Sequence, residues 1–395
     1  MDKLPKDWKN CHIEDIAKNI QYGFTGKTIK NGIVKYLRIT DIQSNFVDWS
    51  QVPFAEISPK EADKYLLRNN DIVFARTGAT AGKSFLIDEL KSVSVFASYL
   101  IRIVPKTDKI FPKYLYLYFQ SPEYWSHISE NVEGAAQPNF NGKKLAKIPF
   151  PLPPLPDQIR IAAKLEALFT RIDKSINLLE ENIKHTKGLM ASVLEEVFVN
   201  GKNWKREPLS KVAKVERGKS KHRPRNDEKL FGNIYPFIQT GDVRKANKYI
   251  ERYEVCYSEF GLKQSRLWNK GTICLTIAAN IGDVAILGLD ACFPDSVVGI
   301  TPNSMNNEFL YYYLKTLQLQ LDKKANSAAQ KNINLKILNE IDVPVPSFET
   351  QNRIADRFSR LEEKQFEILS TQQSKLAYLK ALKSSILDRA FKGEL

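Results

Sequence analysis

Histidine, cysteine and methionine are scarce in this 395-residue chain, at four, four and three residues. His12, His127, His185 and His222 lie far apart in sequence, and no His-x-x-x-His or Cys-His pairing offers a metal site or an activated nucleophile. Cys11, Cys256, Cys274 and Cys292 form no Cys-x-x-Cys pair, which argues against both a zinc site and a disulfide framework. Long apolar runs are also missing. The runs near 72–75 and 273–279 fall far short of the roughly 20 residues a membrane helix needs. The opening MDKLPKDWKN has no apolar signal region, so an intracellular chain without a membrane partner is expected. Acidic residues are in deficit, with 45 against 59 basic ones and a net charge of +14.

That excess is uneven. Net charge is +5 over 1–150, −1 over 151–200, +8 over 201–346 and +2 over 347–395. Two basic segments alternate with two nearly neutral ones, and a polyanion is the natural partner of the basic pair, because neutralising phosphates releases counterions. Charge kept only for solubility remains the alternative.

The neutral segments begin in a repeat. AAQPNFNGKKLAKIPFPLPPLPDQIRIA at 135–162 and AAQKNINLKILNEIDVPVPSFETQNRIA at 328–355 align without a gap at an offset of 193, with 14 of 28 positions identical. A period this long is a duplicated domain rather than a solenoid repeat. After each copy the prolines stop and a charged, Leu/Ile-rich run of about forty residues follows, the pattern of a long helix. In the first, Ile161, Leu165, Leu168, Ile172, Ile176, Leu179 and Ile183 keep a 4-3-4 spacing, a period near 3.67 that favours straight or slightly right-handed pairing. In the second, Ile354, Phe358, Leu361, Leu369, Leu376 and Leu387 match it, interrupted by Gln365, Gln372, Lys380 and Lys383. A helix with such a stripe needs a partner. The other copy is the obvious one, and the simplest chain path makes the pair antiparallel, a spacer of about 60 Å with a domain at each end.

The expected organisation is a mixed α/β domain at 1–150, a long helix in 151–200, a second α/β domain at 201–346 and a second long helix in 347–395. In the first domain a short helix is expected near 14–19, strands near 34–40, 71–76 and 84–87, and a tyrosine-rich helix at 112–119. In the second, Trp204 answers Trp8, FIQTGDV at 237–243 answers LRITDI at 37–42, 271–287 answers 71–87, and 309–319 answers the tyrosine-rich helix.

GATAGKS at 78–84 resembles a nucleotide-binding P-loop, but three residues rather than four separate its glycines, and the second copy has Ile281, Gly282 and Asp283 with no lysine. A turn between two strands is the better reading. Arg76, Thr77 and Lys83 then share one exposed loop, combining a bidentate guanine reader with phosphate donors. The densest basic run is RGKSKHRPR at 217–225, either a contact loop or a solvated, mobile one. Gln137, Asn139, Asn141 and Lys143, matched by Gln330, Asn332, Asn334 and Lys336, either contact DNA or satisfy backbone groups at the entrance to the helix. No Gly-rich dinucleotide fingerprint and no Asn-Pro-Pro-Tyr/Phe element of an amino-methyltransferase occurs.

The tandem domains, the junctions PLPPLPDQIRIA and VPVPSFETQNRIA, and the two long helices resemble the DNA-specificity subunit of type I restriction-modification systems along the whole chain. The second junction departs from the pattern, since its Ser347-Phe348-Glu349 lacks the Pro-Pro of Pro153-Pro154. The resemblance implies a cytoplasmic, prokaryotic, non-catalytic subunit with pseudo-twofold internal symmetry. Each α/β target-recognition domain reads one half of a split site in double-stranded DNA, and the helices form a coiled-coil-like antiparallel spacer. It also implies two docked methyltransferase subunits that carry the S-adenosylmethionine, with no cofactor in this chain, and a place for motor-nuclease subunits. The DNA contacts expected are Tyr22, Lys27, Arg38, Thr40, Arg76, Thr77, Lys83, Gln137, Asn139 and Lys143 in the first domain. In the second they are Arg217, Lys219, Lys221, Arg223, Gln239, Thr240, Asn280, Gln330, Asn332 and Lys336. A coiled-coil scaffold with basic domains, or a self-sufficient methyltransferase or nuclease, are the competing readings.

Overall fold

The structure, a computed structural model, describes residues 4–43, 46–131, 140–199, 204–278, 281–324 and 334–395. It divides into two units, one of 1–180 with 374–395, the other of 181–373. Both cuts fall inside the long helices, Leu155–Phe198 and Phe348–Phe391, each 44 residues. Their ends are 193 residues apart at both termini, so the duplication extends through the whole helix.

In the first unit a four-stranded antiparallel sheet orders Ala17–Tyr22, Leu100–Pro105, Ile72–Ala75 and Ser84–Leu86. The last three read as near-continuous apolar runs because nearly every residue in them is buried. The tyrosine-rich helix Pro112–Tyr118 buries Tyr114, Leu115 and Tyr118 completely. The short helix expected near 14–19 is Ile13–Ile16, and Ala17 already begins a strand. Ala17, Ile20 and the strand partners across the sheet outweigh the helical pattern there, since tertiary pairing overrides weak local propensity. A strand expected near 34–40 stops at Leu37, because Arg38 to Asp41 turn into a 3-10 helix.

The second unit repeats the plan in a five-stranded sheet holding Ala213–Arg217, Val297–Pro302, Ile273–Thr276 and Val284–Leu287 in the same order, with Tyr249–Ile250 added at the edge. The registers equate Leu100 with Val297, Ala75 with Thr276 and Tyr22 with Arg217. They also expose a compensated exchange in the core. Arg102 is buried, with Nη2 donating to Gln21 Oε1 at 2.6 Å, Nη1 3.4 Å from Asp71 Oδ2, and its guanidinium 5.0 Å from the Phe96 ring. Burial pushes the Asp71 carboxyl up and the Arg102 guanidinium down, each opposed by the other's charge. At the matching position stands Gly299, where a Cβ would lie 2.5 Å from Trp268 Cζ3. Trp268 fills that space, stacks on Phe293 at 4.7 Å and carries Arg266 at 4.0 Å, which pairs at 2.7 Å with Glu216, the counterpart of Gln21.

The repeated block is where each domain meets its helix. Asn141 and Asn334 cap short helices, accepting the backbone N–H of Lys144 at 2.9 Å and of Ile337 at 3.0 Å, which settles their role as structural. Gln158 and Gln351 are buried. Gln158 accepts the Phe111 N–H at 2.7 Å and donates to Pro153 and Lys109 carbonyls at 2.9 and 3.0 Å. Gln351 accepts the Asn306 N–H at 2.8 Å and donates to Pro346 at 2.9 Å. Each glutamine thus bonds the start of the long helix to the start of the domain's tyrosine-rich helix.

Inside each unit the two long helices run antiparallel. In the first, Lys380 meets Glu180 at 2.9 Å, Lys383 meets Asp173 at 2.7 Å, and Arg160 donates to the Leu395 carbonyl at 3.1 Å. In the second, Gln365 donates to the Thr186 carbonyl and Phe198 packs on Phe358 at 5.6 Å. Ile161, Leu165, Ile172, Ile176, Ile183, Phe358 and Leu387 are buried, and Leu168, Leu179, Ile354, Leu361, Leu369 and Leu376 are partly buried. The stripe therefore faces inward as the spacing requires. Phe391 inserts between Tyr114 and Tyr118 at 5.1 and 5.3 Å, and Phe198, 193 residues earlier, meets Phe309 and Tyr313 at 5.3 and 5.6 Å. These aromatic anchors close the first unit on the end of Phe348–Phe391 and the second on the end of Leu155–Phe198.

Replacing Gln158 by alanine should leave the Phe111 N–H and two carbonyls buried without a partner, a loss of about 1 to 3 kcal/mol for each unmet group that stays dry. Thermal unfolding should show a clear drop, and Gln351→Ala should show a similar one, whereas exposed Arg353→Ala should change little.

Candidate nucleic-acid interface

At one end of the first sheet three chain segments converge. Arg76 follows the strand Ile72–Ala75, donates its backbone N–H to Tyr99 O at 2.9 Å and accepts the Phe140 N–H at 2.9 Å. Its guanidinium lies 5.0 Å from the Tyr22 ring. The half-buried side chain makes no hydrogen bond or ion pair among the described residues, and its Nε is shut off from solvent. Tyr22 Oη accepts the Gly142 N–H at 2.9 Å, tying the strand end to the helix Gly142–Ala146, on which Lys143 is exposed.

The chain then turns. Thr77 leads into a 3-10 turn, Gly78 and Gly82 have φ of 79° and 86°, and a strand follows rather than the helix a phosphate loop needs. Gly282, with φ of 93°, makes the matching turn of the second unit. Exposed Lys83 and Thr40 line one cleft of about 580 Å³ together with Gln120 and Trp125. Lys27 is exposed elsewhere on the surface. Arg38 is spoken for: both arms of its guanidinium point at Asp41, at 3.1 and 2.7 Å, and that hydrogen-bonded carboxylate raises its pKa. That pairing uses the Nε and one Nη2 hydrogen and leaves Nη1 without a partner among the described residues.

In the second unit the basic run is a tethered loop. The Lys219 and Lys221 backbone N–H groups donate to Phe293 and Gln264 carbonyls at 3.1 Å each, and Ser265 Oγ donates to Lys219 O at 2.8 Å. Arg223 Nη1 donates to the carbonyls of Ser220 and His222 at 2.7 and 2.8 Å, His222 meets Asp227 at 2.7 Å, and Arg225 meets Asp295 at 2.9 Å. These bonds count against the solvated, mobile loop. They also commit Arg223 to its own loop and leave Arg217, Lys219 and Lys221 as exposed cations. Exposed Gln239 precedes the helix Thr240–Lys245, with its N–H on Asp242 at 2.8 Å, the same cap that Asp41 gives Arg38 at 2.9 Å. Lys336 is exposed on the helix Leu335–Asn339. Gln137, Asn139, Asn280, Gln330 and Asn332 lie outside the described residues.

The structure thus joins Tyr22 to Arg76, and Thr40 to Lys83. It also brings in Tyr99, 63% exposed, whose carbonyl holds the Arg76 backbone. A lone aromatic beside Ser98 carries no periodic signal, so only the strand pairing reveals it.

Two duplicated α/β units, each closed by halves of two antiparallel helices and each bearing exposed cations at the strand ends, define a tandem α/β protein of internally repeated plan. Comparison with known proteins agrees. A family model described as the type I restriction modification DNA specificity domain matches twice, at residues 5–184 and 201–378. A Methanocaldococcus jannaschii protein named as the specificity subunit of type I restriction enzyme MjaX is 25% identical over 100% of this chain and 95% of its own length. The EcoBI specificity subunit of Escherichia coli is 28% identical over 71% of this chain and 65% of its own. Among solved structures, one described in work on complex assembly and conformational transition of the type I R-M system superposes with a TM-score of 0.82 at 22% identity, covering 100% of both chains. The HsdS subunit of Thermoanaerobacter tengcongensis gives 0.62 at 22% identity, over 100% of this chain and 98% of that one. The chain belongs to the type I restriction-modification DNA specificity family. Specificity subunits of this kind are non-catalytic, and the chemistry lies in their partner subunits.

Because the loop 218–227 is held by its own bonds, trypsin should cut slowly after Lys219 and Lys221 in the native protein. Arg225→Ala, which releases Asp295, should speed that cleavage several-fold without lowering the unfolding temperature by more than a degree or two, since exposed ion pairs contribute about 0 to 1 kcal/mol.

Proposed function

We propose that this chain reads a split target in double-stranded DNA, with the domain at 1–150 recognising one half and the domain at 201–346 the other. The helices of 151–200 and 347–395 set the length of the unread spacer and dock two methyltransferase subunits, which carry the S-adenosylmethionine. Motor-nuclease subunits join the same assembly in the cytoplasm of a prokaryote. The observation that carries this reading is the duplication itself: one fold twice, with the same framework bonds and different side chains at the strand ends. Arg76 and Arg217 are the base readers. Tyr22, Lys27, Thr40, Thr77, Lys83 and Lys143 contact DNA in one half, with Lys219, Lys221, Gln239, Thr240 and Lys336 in the other. Arg38 and Arg223 serve their own loops. The competing scaffold reading leaves the matched exposed cations without a purpose.

The purified chain should neither bind S-adenosylmethionine nor methylate DNA, and methylation should appear when a methyltransferase subunit is added. Isotope transfer by the lone, contaminant-free chain would overturn this division of labour.

The spacer is tested by length. Inserting four residues in each long helix, near Ile176 and near Leu369, adds about 6 Å at about 1.5 Å per residue. Along B-DNA that is close to two base pairs at about 3.4 Å each. The selected target should keep both half-sequences and gain one or two base pairs between them. Affinity should fall, because two base pairs also turn one half-site by roughly 70° about the DNA axis at about 10 base pairs per turn. A folded, DNA-competent double-insertion protein that still selects the original spacing would refute the ruler.

A further inference from the structure

The pairing of Arg76 with Tyr22 goes beyond the presence of a basic residue at a strand end. Other arginines placed around the two sheets are matched: Arg38 to Asp41, Arg102 to Gln21 and Asp71, Arg225 to Asp295, and Arg266 to Glu216. Arg76 is half-buried, yet no acceptor among the described residues meets it and its Nε is shut off from solvent. What fixes the side chain is the Tyr22 ring at 5.0 Å, an aromatic face that attracts a cation without using its hydrogen-bond donors. Tyr22 is itself fixed, because its Oη accepts the Gly142 N–H at 2.9 Å from the neighbouring helix. A planar guanidinium held in orientation with its donors unspent is pre-organised for a planar pair of acceptors.

The second unit makes the same point in reverse. The strand registers equate Tyr22 with Arg217, and the backbone bond from Ile277 N–H to Ser296 O at 2.9 Å repeats that of Arg76 to Tyr99 O, equating Arg76 with Ile277. Ile277 is 4% exposed and Arg217 is exposed, without a hydrogen bond or ion pair among the described residues. Among the described residues each unit therefore presents one unpaired arginine at this place in its fold, from opposite strands, and only the first backs it with an aromatic ring.

We propose that Tyr22 is a positioning residue that holds the Arg76 guanidinium for the O6 and N7 acceptors of a guanine in one half of the target. Arg217, unbacked, reads or anchors the other half independently of Tyr22. This rests on the reading of the chain as a DNA-specificity subunit, and the substrate chemistry follows from the fork: two parallel donors match guanine in the major groove and no other base there as well.

The test is selection from randomised duplexes by the chain assembled with its methyltransferase subunits, comparing wild type with Arg76→Lys, Tyr22→Ala and Tyr22→Phe. Arg76→Lys removes the fork and keeps the charge. It should cut the preference for guanine at one position by roughly 5- to 150-fold, the range of a lost bidentate contact, and leave the other half-site untouched. Tyr22→Ala should lower the same preference at the same position, and Tyr22→Phe, which keeps the ring, should retain most of it. Unchanged guanine preference in Arg76→Lys would overturn the proposal, as would a Tyr22→Ala complex that binds every sequence more weakly by the same factor, the mark of a merely structural tyrosine. A wild-type complex that selects no sequence would instead remove the specificity reading beneath it, a result visible before any variant is made.

Discussion

The buried glutamine at the start of each long helix is the interaction on which the arrangement of each unit depends. Gln158 and Gln351 bond to carbonyls five residues earlier, Pro153 and Pro346, at the same 2.9 Å, and reach across to the first turn of the tyrosine-rich helix. An amide is the side chain that can accept and donate at once in such a site. With the junction pinned at both ends, the helix leaves the domain in one direction. The apolar stripe from Ile161 to Ile176 then lands on the Leu387 and Phe391 end of the second helix rather than on solvent. Proline before each glutamine supports this by ending the preceding strand and freeing carbonyls for the amide to meet.

Once the frame is set by these bonds, the rest of each domain is free to diverge, and the core shows how. Arg102 occupies the position of Gly299, and Leu67, whose N–H donates to Ser94 O at 2.8 Å, that of Trp268, whose N–H donates to Ala291 O at 2.9 Å. The long cationic side chain on a central strand is replaced by no side chain at all, and the volume is restored by an indole arriving from the neighbouring segment. In both, a guanidinium lies against an aromatic face and reaches the polar residue at the position of Gln21, by Arg102 in one case and Arg266 in the other. Single substitutions here would leave a void or a clash of the kind that costs several kcal/mol. Sequence similarity between the halves is accordingly weak in the sheets and strong only at the junctions.

This explains what was legible in the sequence. The duplicated block, both helices and the tandem α/β order could be read because each rests on local chemistry: prolines that stop a strand, asparagines that cap, a stripe of period near 3.67. Ile13–Ile16 and the 3-10 turn at Ile39–Asp41 were misjudged because strand pairing and the Asp41 cap, not propensity, decide them. Among the candidate site residues, the sequence places side chains on loops but does not show which of them already hold a partner. Arg38 and Arg76 look alike in sequence, and only three-dimensional contact shows that one holds Asp41 with Nε and Nη2 while the other meets no acceptor among the described residues. Phe198 and Phe391 stood 193 residues apart in matching positions all along. An aromatic at a helix end adds nothing to a stripe, so the spacing alone does not mark them.

The polar breaks in the second helix complete the argument. Gln365, Lys380 and Lys383 weaken a purely apolar seam, and Gln372 buries an Oε1 without a partner. Three of the four find specific acceptors instead: the Thr186 carbonyl, Glu180 and Asp173. Exposed pairs of this kind contribute little energy, but a one-turn slip between the helices would break them together while an apolar stripe would tolerate it. Polar residues at seam positions are best attested as determinants of register. Here the register fixes which residue of one helix faces which of the other, and with it the point at which Phe391 enters the Tyr114 and Tyr118 cluster. Under the proposed ruler function, holding the register of the two helices matters more than maximising their affinity.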